Sequence, residues 1–255
     1  MFSKKFILEL KEKIPVAADV YDFLFKPDHK LIFKPGQYME LVLGHNTQDA
    51  NSIKRYFSIA SSPTEEYIRI GIKFHPNPSD FQQFLLSLRA GDKVVASKPA
   101  GDFVLRRKKK SVFIAGGIGI TPFRSMLKYL LDTKGRVSKD GTRHDSVESK
   151  RGDIILLYSN YKPADIVYKD VFDQAEKQSG VKTIYTVTDE PIPAGWRGER
   201  GFIDEKMIAR AAPDYKERTF YLSGSHNMVV AFEEILRKMG VKKQRIKTDF
   251  FPGLV

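Results

Sequence analysis

The chain has 255 residues, 42% hydrophobic, 12% aromatic and 29% charged, a globular mixture that excludes wholesale disorder and leaves room for one large or two modest domains. It contains no cysteine, which excludes disulfides, thiolate zinc sites, a cysteine nucleophile and cysteine-held iron–sulfur clusters, and its five histidines, without HxH or HExxH spacing, leave little room for a transition-metal site. A net charge of +12 suits an acidic protein, a nucleic acid or an anionic cofactor without choosing among them.

No apolar run approaches the roughly 18 residues of a membrane span. At the start, Lys4, Lys5, Glu9 and Lys11 interrupt the apolar residues, which argues against a signal peptide and for a cytoplasmic location. Short β-rich runs follow: FILEL, DFLFK, YMELVL, YFSIA, YIRIGIKF and KVVAS, with turn residues at Lys34-Pro35-Gly36-Gln37, Ser61-Ser62-Pro63 and Ala90-Gly91-Asp92. This spacing predicts an antiparallel barrel or sandwich. One helix interrupts it, because Phe81, Phe84, Leu85 and Leu88 recur at helical spacing behind the N-cap candidates Ser79 and Asp80.

From Ser111 the pattern becomes strand, turn and amphipathic helix. Strands are predicted at 112–115 (VFIA), 154–158 (IILLY), 183–188 (TIYTVT) and 219–222 (TFYL). Helices show apolar faces at Phe123, Met126, Leu127, Leu130 and Leu131, and at Met228, Val229, Phe232, Ile235, Leu236 and Met239. Such alternation calls for a parallel sheet covered on both faces. The boundary falls in the basic run Arg106–Lys110, giving domains 1–106 and 107–255; the run reads as a solvated face, and Gly135–Gly152 as a polar surface loop.

Ligands of such sheets bind beyond the carboxyl ends of the strands. The turn Gly116-Gly117-Ile118-Gly119-Ile120-Thr121-Pro122 follows a strand and opens a helix. Its glycines admit a phosphate, Thr121 can cap the helix and Pro122 suits the first turn. The third glycine of GxGxxG is missing, so a purely structural turn stays open. Leu222-Ser223-Gly224-Ser225-His226 makes a second such edge, and two edges favour a dinucleotide. In the first half, Arg55-Tyr56-Phe57-Ser58 puts an aromatic and a hydroxyl on one strand face and a guanidinium on the other, fit for a flat heterocycle and its phosphate, although an ordinary barrel strand with a snorkelling arginine gives the same pattern.

In order along nearly the whole chain, these segments resemble the ferredoxin-NADP reductase superfamily. Phe33-Lys34-Pro35-Gly36-Gln37-Tyr38 is similar to its F-x-P-G-Q segment, RYFS to its R-x-Y-S flavin motif, and Gly91-Asp92 through Pro99-Ala100-Gly101-Asp102-Phe103 to the end of its barrel; GGIGITP resembles its pyridine-nucleotide turn, and Trp196–Gly201 a further segment of the second domain. The resemblance implies a six-stranded flavin-binding barrel followed by a Rossmann-like NAD(P)-binding domain. It implies that Tyr56 packs on the flavin, with Phe57 beside it in the motif, that Ser58 bonds near N5, that Arg55 contacts flavin phosphate and that Ser79 helps hold the pyrophosphate of FAD, preferred over FMN. Gly116, Gly117, Gly119, Thr121, Pro122 and Gly224 would hold NAD(P)H, with Ser159 and Lys162 serving a 2′-phosphate. Two departures stand out: Ser223 replaces the family cysteine near the nicotinamide, and Leu254 replaces the tyrosine of the terminal F-x-G-Y, leaving Phe251 as the aromatic to approach the flavin.

The resemblance therefore implies an NAD(P)H-dependent flavoprotein oxidoreductase with Ser58, Ser223 and Phe251 nearest the chemistry. Lacking an internal iron–sulfur cluster, it would pass electrons to a separate acidic partner, a ferredoxin or flavodoxin. A flavin or small-quinone reductase is the second reading. A basic nucleic-acid-binding module is the third, disfavoured because its cations are spread along the chain and no recognition motif is present. Coenzyme choice is expected to be weak, with Lys162 supplying any NADPH preference.

Overall fold

The computed structural model describes residues 5–43, 53–105, 109–134 and 153–251. In β1 (Phe6–Ala17), buried Phe6, Leu8 and Leu10 alternate with outward Ile7 and Glu9, as a half-buried strand requires. With β2 (Val20–Pro27), β3 (Tyr38–Leu43), β4 (Ile53–Ser58), β5 (Ile68–Lys73) and β6 (Lys93–Ala96) it forms an antiparallel sheet in the order β4-β3-β6-β1-β2-β5. The segment leaving β4 meets β5 through the Ala60 N–H, which donates to the Arg69 carbonyl at 2.8 Å. Phe23, Phe25, Met39, Leu41 and Ile70 fill the inside.

Helix α1 (Asp80–Ser87) follows β5 and buries Phe81 and Leu85. Ser79 is its N-cap: its hydroxyl accepts from the Gln82 N–H while the Gln82 side chain accepts from the Ser79 N–H, so two otherwise orphaned donors are satisfied reciprocally. The FKPGQ and PAGDF segments form one clip. Gln37 Nε2 donates to the Gly101 carbonyl at 3.0 Å, and Tyr38 and Ala100 exchange backbone bonds of 3.0 and 2.8 Å.

The second sheet is parallel throughout: β7 (Ser111–Gly116), β8 (Ile154–Asn160), β9 (Lys182–Val187), β10 (Glu199–Arg200), β11 (Thr219–Ser225) and β12 (Ile246–Phe251), in the order β10-β9-β8-β7-β11-β12. Helices α2 (Thr121–Asp132), α3 (Lys169–Ser179), α4 (Glu205–Ala211) and α5 (His226–Lys238) cover it. One face buries Phe113, Phe123, Leu127, Leu156 and Phe172; the other buries Ile114, Leu157, Leu222 and Phe232. Strand order reverses between β7 and β11, which marks the crevice where such sheets take ligands.

The expected pairing of an antiparallel sheet with a parallel α/β layer is the architecture observed. Four elements carry too little pattern to be foreseen. Helix α3 buries only Val171, Phe172 and Ala175, α4 spans seven residues, β10 two, and β12 intersperses Lys247, Thr248 and Asp249 among its apolar residues. The expected boundary after residue 106 and the 135–152 loop lie outside the described residues.

Candidate functional site

Two cavities open side by side where the sheets meet. The first, of about 500 Å³, is lined by Arg55, Tyr56, Phe57 and Ser58 of β4, Gly71 and Lys73 of β5, Ser79, Phe81 and Gln82 around the start of α1, and Ile118 and Thr121 of the second layer. Strand alternation sorts the β4 side chains. Phe57 stacks on Phe81 with centroids 5.8 Å apart and the Arg55 guanidinium lies 5.7 Å from the same ring. On the opposite face Tyr56 meets Tyr38 edge-on at 5.5 Å and keeps 52% of its surface exposed.

Ser58 is buried, and its Oγ donates to Asp249 Oδ2 at 2.8 Å. Burial pushes the Asp249 carboxyl above its ordinary range, partly opposed by that hydrogen bond. Asp249 is a functional candidate that sequence reasoning misses. Its strand alternates too little to read as one, and its partner lies 191 residues away.

The second cavity, of about 760 Å³, shares Lys73, His75 and Ile118 with the first. Gly116, Gly117, Ser159, Asn160, Tyr161, Asp165, Phe202 and Ser225 also line it. Gly117, at φ +51°, faces open space, as close approach of a ligand backbone needs. Gly119 serves packing instead: a Cβ there would lie 2.4 Å from the Ser223 carbonyl oxygen. Asn160, 5% exposed, sits beside the Tyr158 hydroxyl outside hydrogen-bond geometry. The exposed aromatics Tyr161 and Phe202 flank the mouth, and Phe202 follows the Trp196–Gly201 segment.

Several expected residues stand elsewhere. Thr121 does not cap α2, because a 3-10 turn at Gly117–Ile120 runs straight into the helix and the hydroxyl donates back to the Ile118 carbonyl at 3.2 Å; it lines the first cavity rather than the second. Pro122 is in the first turn of α2 and buried. Gly224 packs toward Met228. Ser223 is fully buried with no hydrogen-bond partner among the described residues, in register with Ala115 and Asp249. Lys162 lies off the cavity wall, where its N–H donates to Asp165 Oδ2 at 3.0 Å. The main chain of Phe251 pairs with Ser225; its side chain lies outside the described residues.

The residues present fit a flavin dinucleotide. A half-exposed tyrosine offers a flat apolar wall, a buried hydroxyl–carboxyl pair stands beside it, and Arg55, Lys54, Lys73 and a capped helix start supply anion-binding groups. The neighbouring glycine turn at the switch point fits a second dinucleotide. Fold and site together define a two-domain oxidoreductase that binds a flavin and a pyridine nucleotide. Residues 6–105 match the family described as "Oxidoreductase FAD-binding domain" and residues 113–234 the "Oxidoreductase NAD-binding domain". The chain is 30% identical over 244 residues to NADH-cytochrome b5 reductase 1 of Ajellomyces capsulatus, covering 92% of this chain and 74% of that one. It is 27% identical to the glycine betaine monooxygenase reductase subunit of Chromohalobacter salexigens, covering 91% of this chain and 60% of that one. The cytochrome b5 reductase domain of Ulva prolifera nitrate reductase superposes with a TM-score of 0.77 at 27% identity, covering 96% and 97% of the two chains. The chain belongs to the ferredoxin-NADP reductase-like family of FAD- and NAD-binding oxidoreductases. Among the described residues, no helix is long and apolar enough to cross a membrane.

Proposed function

We propose that the chain oxidises NADH through FAD and passes the electrons to a separate acidic carrier protein, a ferredoxin or flavodoxin. Bound FAD supplies two-electron acceptance and one-electron release. What carries the reading is Ser58, bonded to Asp249 and lining the first cavity, whose wall the nucleotide cavity shares at Ile118, Lys73 and His75. With Asp249 ionised, Ser58 donates to it and keeps its lone pairs free to accept; with Asp249 protonated the bond reverses, and the hydroxyl is free to donate into the cavity. Burial favours the protonated carboxyl. Arg55 and the start of α1 hold flavin phosphates, and the match of residues 6–105 to an FAD-binding family supports FAD over FMN.

Asp165 shifts the coenzyme reading toward NADH. It lines the nucleotide cavity, as Ser159 does, and a carboxylate there accepts from a ribose diol and repels a 2′-phosphate. Lys162, expected to serve a 2′-phosphate, is not among the residues lining that cavity. The +12 net charge supports an acidic partner, because opposite charge speeds weak electron-transfer encounters.

The test is spectroscopic and kinetic. The purified protein should carry flavin absorbance and be bleached by NADH. Tyr56→Ala should weaken flavin retention, and Ser58→Ala should slow bleaching more than it weakens retention. Turnover with a ferredoxin or flavodoxin should fall with rising salt. Activity restricted to free flavins or quinones and indifferent to salt would favour the small-acceptor reading, and a colourless protein retained on DNA would end both.

A further inference from the structure

Behind the two cavities lies a buried polar network that the chemistry above does not use. From the second layer, Arg124 of α2, 5% exposed, reaches into the barrel side. Its two terminal nitrogens meet both Glu65 oxygens at 2.9 and 3.0 Å, and Nη1 also donates to the Ala60 carbonyl at 2.8 Å. Next to it, Ser125 Oγ donates to the Ser61 carbonyl at 2.6 Å. Burial alone would raise the Glu65 carboxyl, but the Arg124 guanidinium outweighs it and holds the group below its ordinary range.

Tyr168 makes the second crossing. Its hydroxyl donates to fully buried Asp22 of β2, which also pairs with Arg69 of β5. The Arg124 guanidinium lies 5.3 Å from the Tyr168 ring centroid, joining the two crossings. Tyr168 is the one non-glycine residue with positive φ, at +59°, among the described residues, a conformation that costs an L residue and persists where its surroundings over-determine it. Gly71 is shaped to receive it: a Cβ there would lie 2.4 Å from the Tyr168 hydroxyl oxygen and 2.9 Å from the Thr121 methyl.

The placement gives this network its meaning. Ala60 is two residues beyond Ser58, Arg124 one helical turn beyond Thr121, and Gly71 lines the flavin cavity. The bonds therefore connect the flavin-bearing strand to the nucleotide turn by short, directional links. Ion pairs such as these, with Asp22 and Arg124 buried and Glu65 and Arg69 partly exposed, contribute little net stability compared with apolar packing, whereas they fix geometry. Geometry is what transfer between two bound ring systems needs, because a misplacement of about 1 Å can cost about a hundredfold in rate.

We propose that Arg124 and Tyr168 are positioning residues that set the spacing between nicotinamide and flavin by locking the nucleotide turn onto the flavin strand; this rests on the NADH-to-FAD reading above. The experiment compares Tyr168→Phe and Arg124→Met with the parent and with Arg218→Leu, a destabilised control far from the cavities. Rapid mixing with NADH should show the limiting rate of flavin reduction falling about tenfold in the first two, with flavin content and NADH dissociation constant within about twofold. The isotope effect with C4-deuterated NADH should change with it. In the holoenzyme without NADH, the amide protons of residues 60–65 and 118–125 should exchange faster relative to the rest of the molecule in these variants, whereas Arg218→Leu should show no such local excess. Parent-like limiting rates and exchange in Tyr168→Phe would overturn the proposal, as would an Arg218→Leu control that loses rate to the same degree. A parent that binds flavin but is not reduced by NADH would bring down the underlying reading and this one with it.

Discussion

The two ends of the parallel sheet are built on opposite principles. At the amino end, a buried arginine is tied to two carboxylates. Arg218, 3% exposed, binds the Asp153 carboxylate and carbonyl and also Asp214 at 2.5 Å, and Lys110 joins Asp214 at 2.6 Å. At the carboxyl end, the Ser223 hydroxyl and the Asn160 amide are buried without such partners among the described residues, near the open glycine turn. A buried polar group left unmatched costs free energy until a ligand satisfies it. One end thus ties its charges together, and the other leaves buried polar groups unmatched among the described residues.

The largest test of this contrast is to break the tied end. Arg218→Leu should cost about 2 kcal/mol in urea unfolding, less than a fully buried pair because Asp153 and Asp214 are partly exposed, while turnover per folded molecule stays at the parent value. At the open end, Gly117→Val places a side chain in the nucleotide cavity on a positive-φ backbone. It should raise KM for NADH about tenfold with flavin content unchanged. Ser223→Ala should sharpen the contrast from the other side: loss of an unpartnered hydroxyl should leave unfolding free energy within about 0.5 kcal/mol of the parent or raise it.

The smallest effect is a difference in pH dependence. Asp214 is pulled down to about 2, chiefly by its Arg218 hydrogen bond. Its contribution is present above the ordinary carboxylate value and is lost as pH falls toward about 2. Asp249 at the open end is raised by burial, so the folded state binds its proton more tightly and stability declines as pH rises through the folded value. Arg218→Leu should flatten the acid limb of stability against pH, and Asp249→Asn should remove part of the decline on the other side. Urea midpoints across pH 2 to 8 would show two separate losses of slope, and a single shared one would refute the contrast.

The sequence was most legible where chemistry sits in one contiguous stretch. The β4 motif, the Ser79 cap and the Gly116–Gly117 turn announce themselves because turn geometry, capping and alternation act over a few residues. Legibility failed where function depends on distant pairs. Asp249 acquires meaning only when β12 pairs with β11 and brings it to Ser58. Asp22 and Tyr168 are 146 residues apart, and neither lies in a recognisable motif. Phe202 reads as an ordinary apolar residue until its exposure at the nucleotide cavity is seen. Thr121 misled for a local reason, since the 3-10 turn before α2 removed the cap position it was expected to fill.

The charge balance behind the cavities has a further consequence. Asp22, Glu65, Arg69 and Arg124 cancel one another at contact distance, with Asp22 and Arg124 buried, so mobile ions, effective over about 10 Å in ordinary buffer, screen them little. The surface surplus of cations is open to those same ions. Electrolyte should therefore act as a selective dial on the molecule, slowing the meeting with an acidic carrier while the internal alignment of the two cofactors keeps its rate.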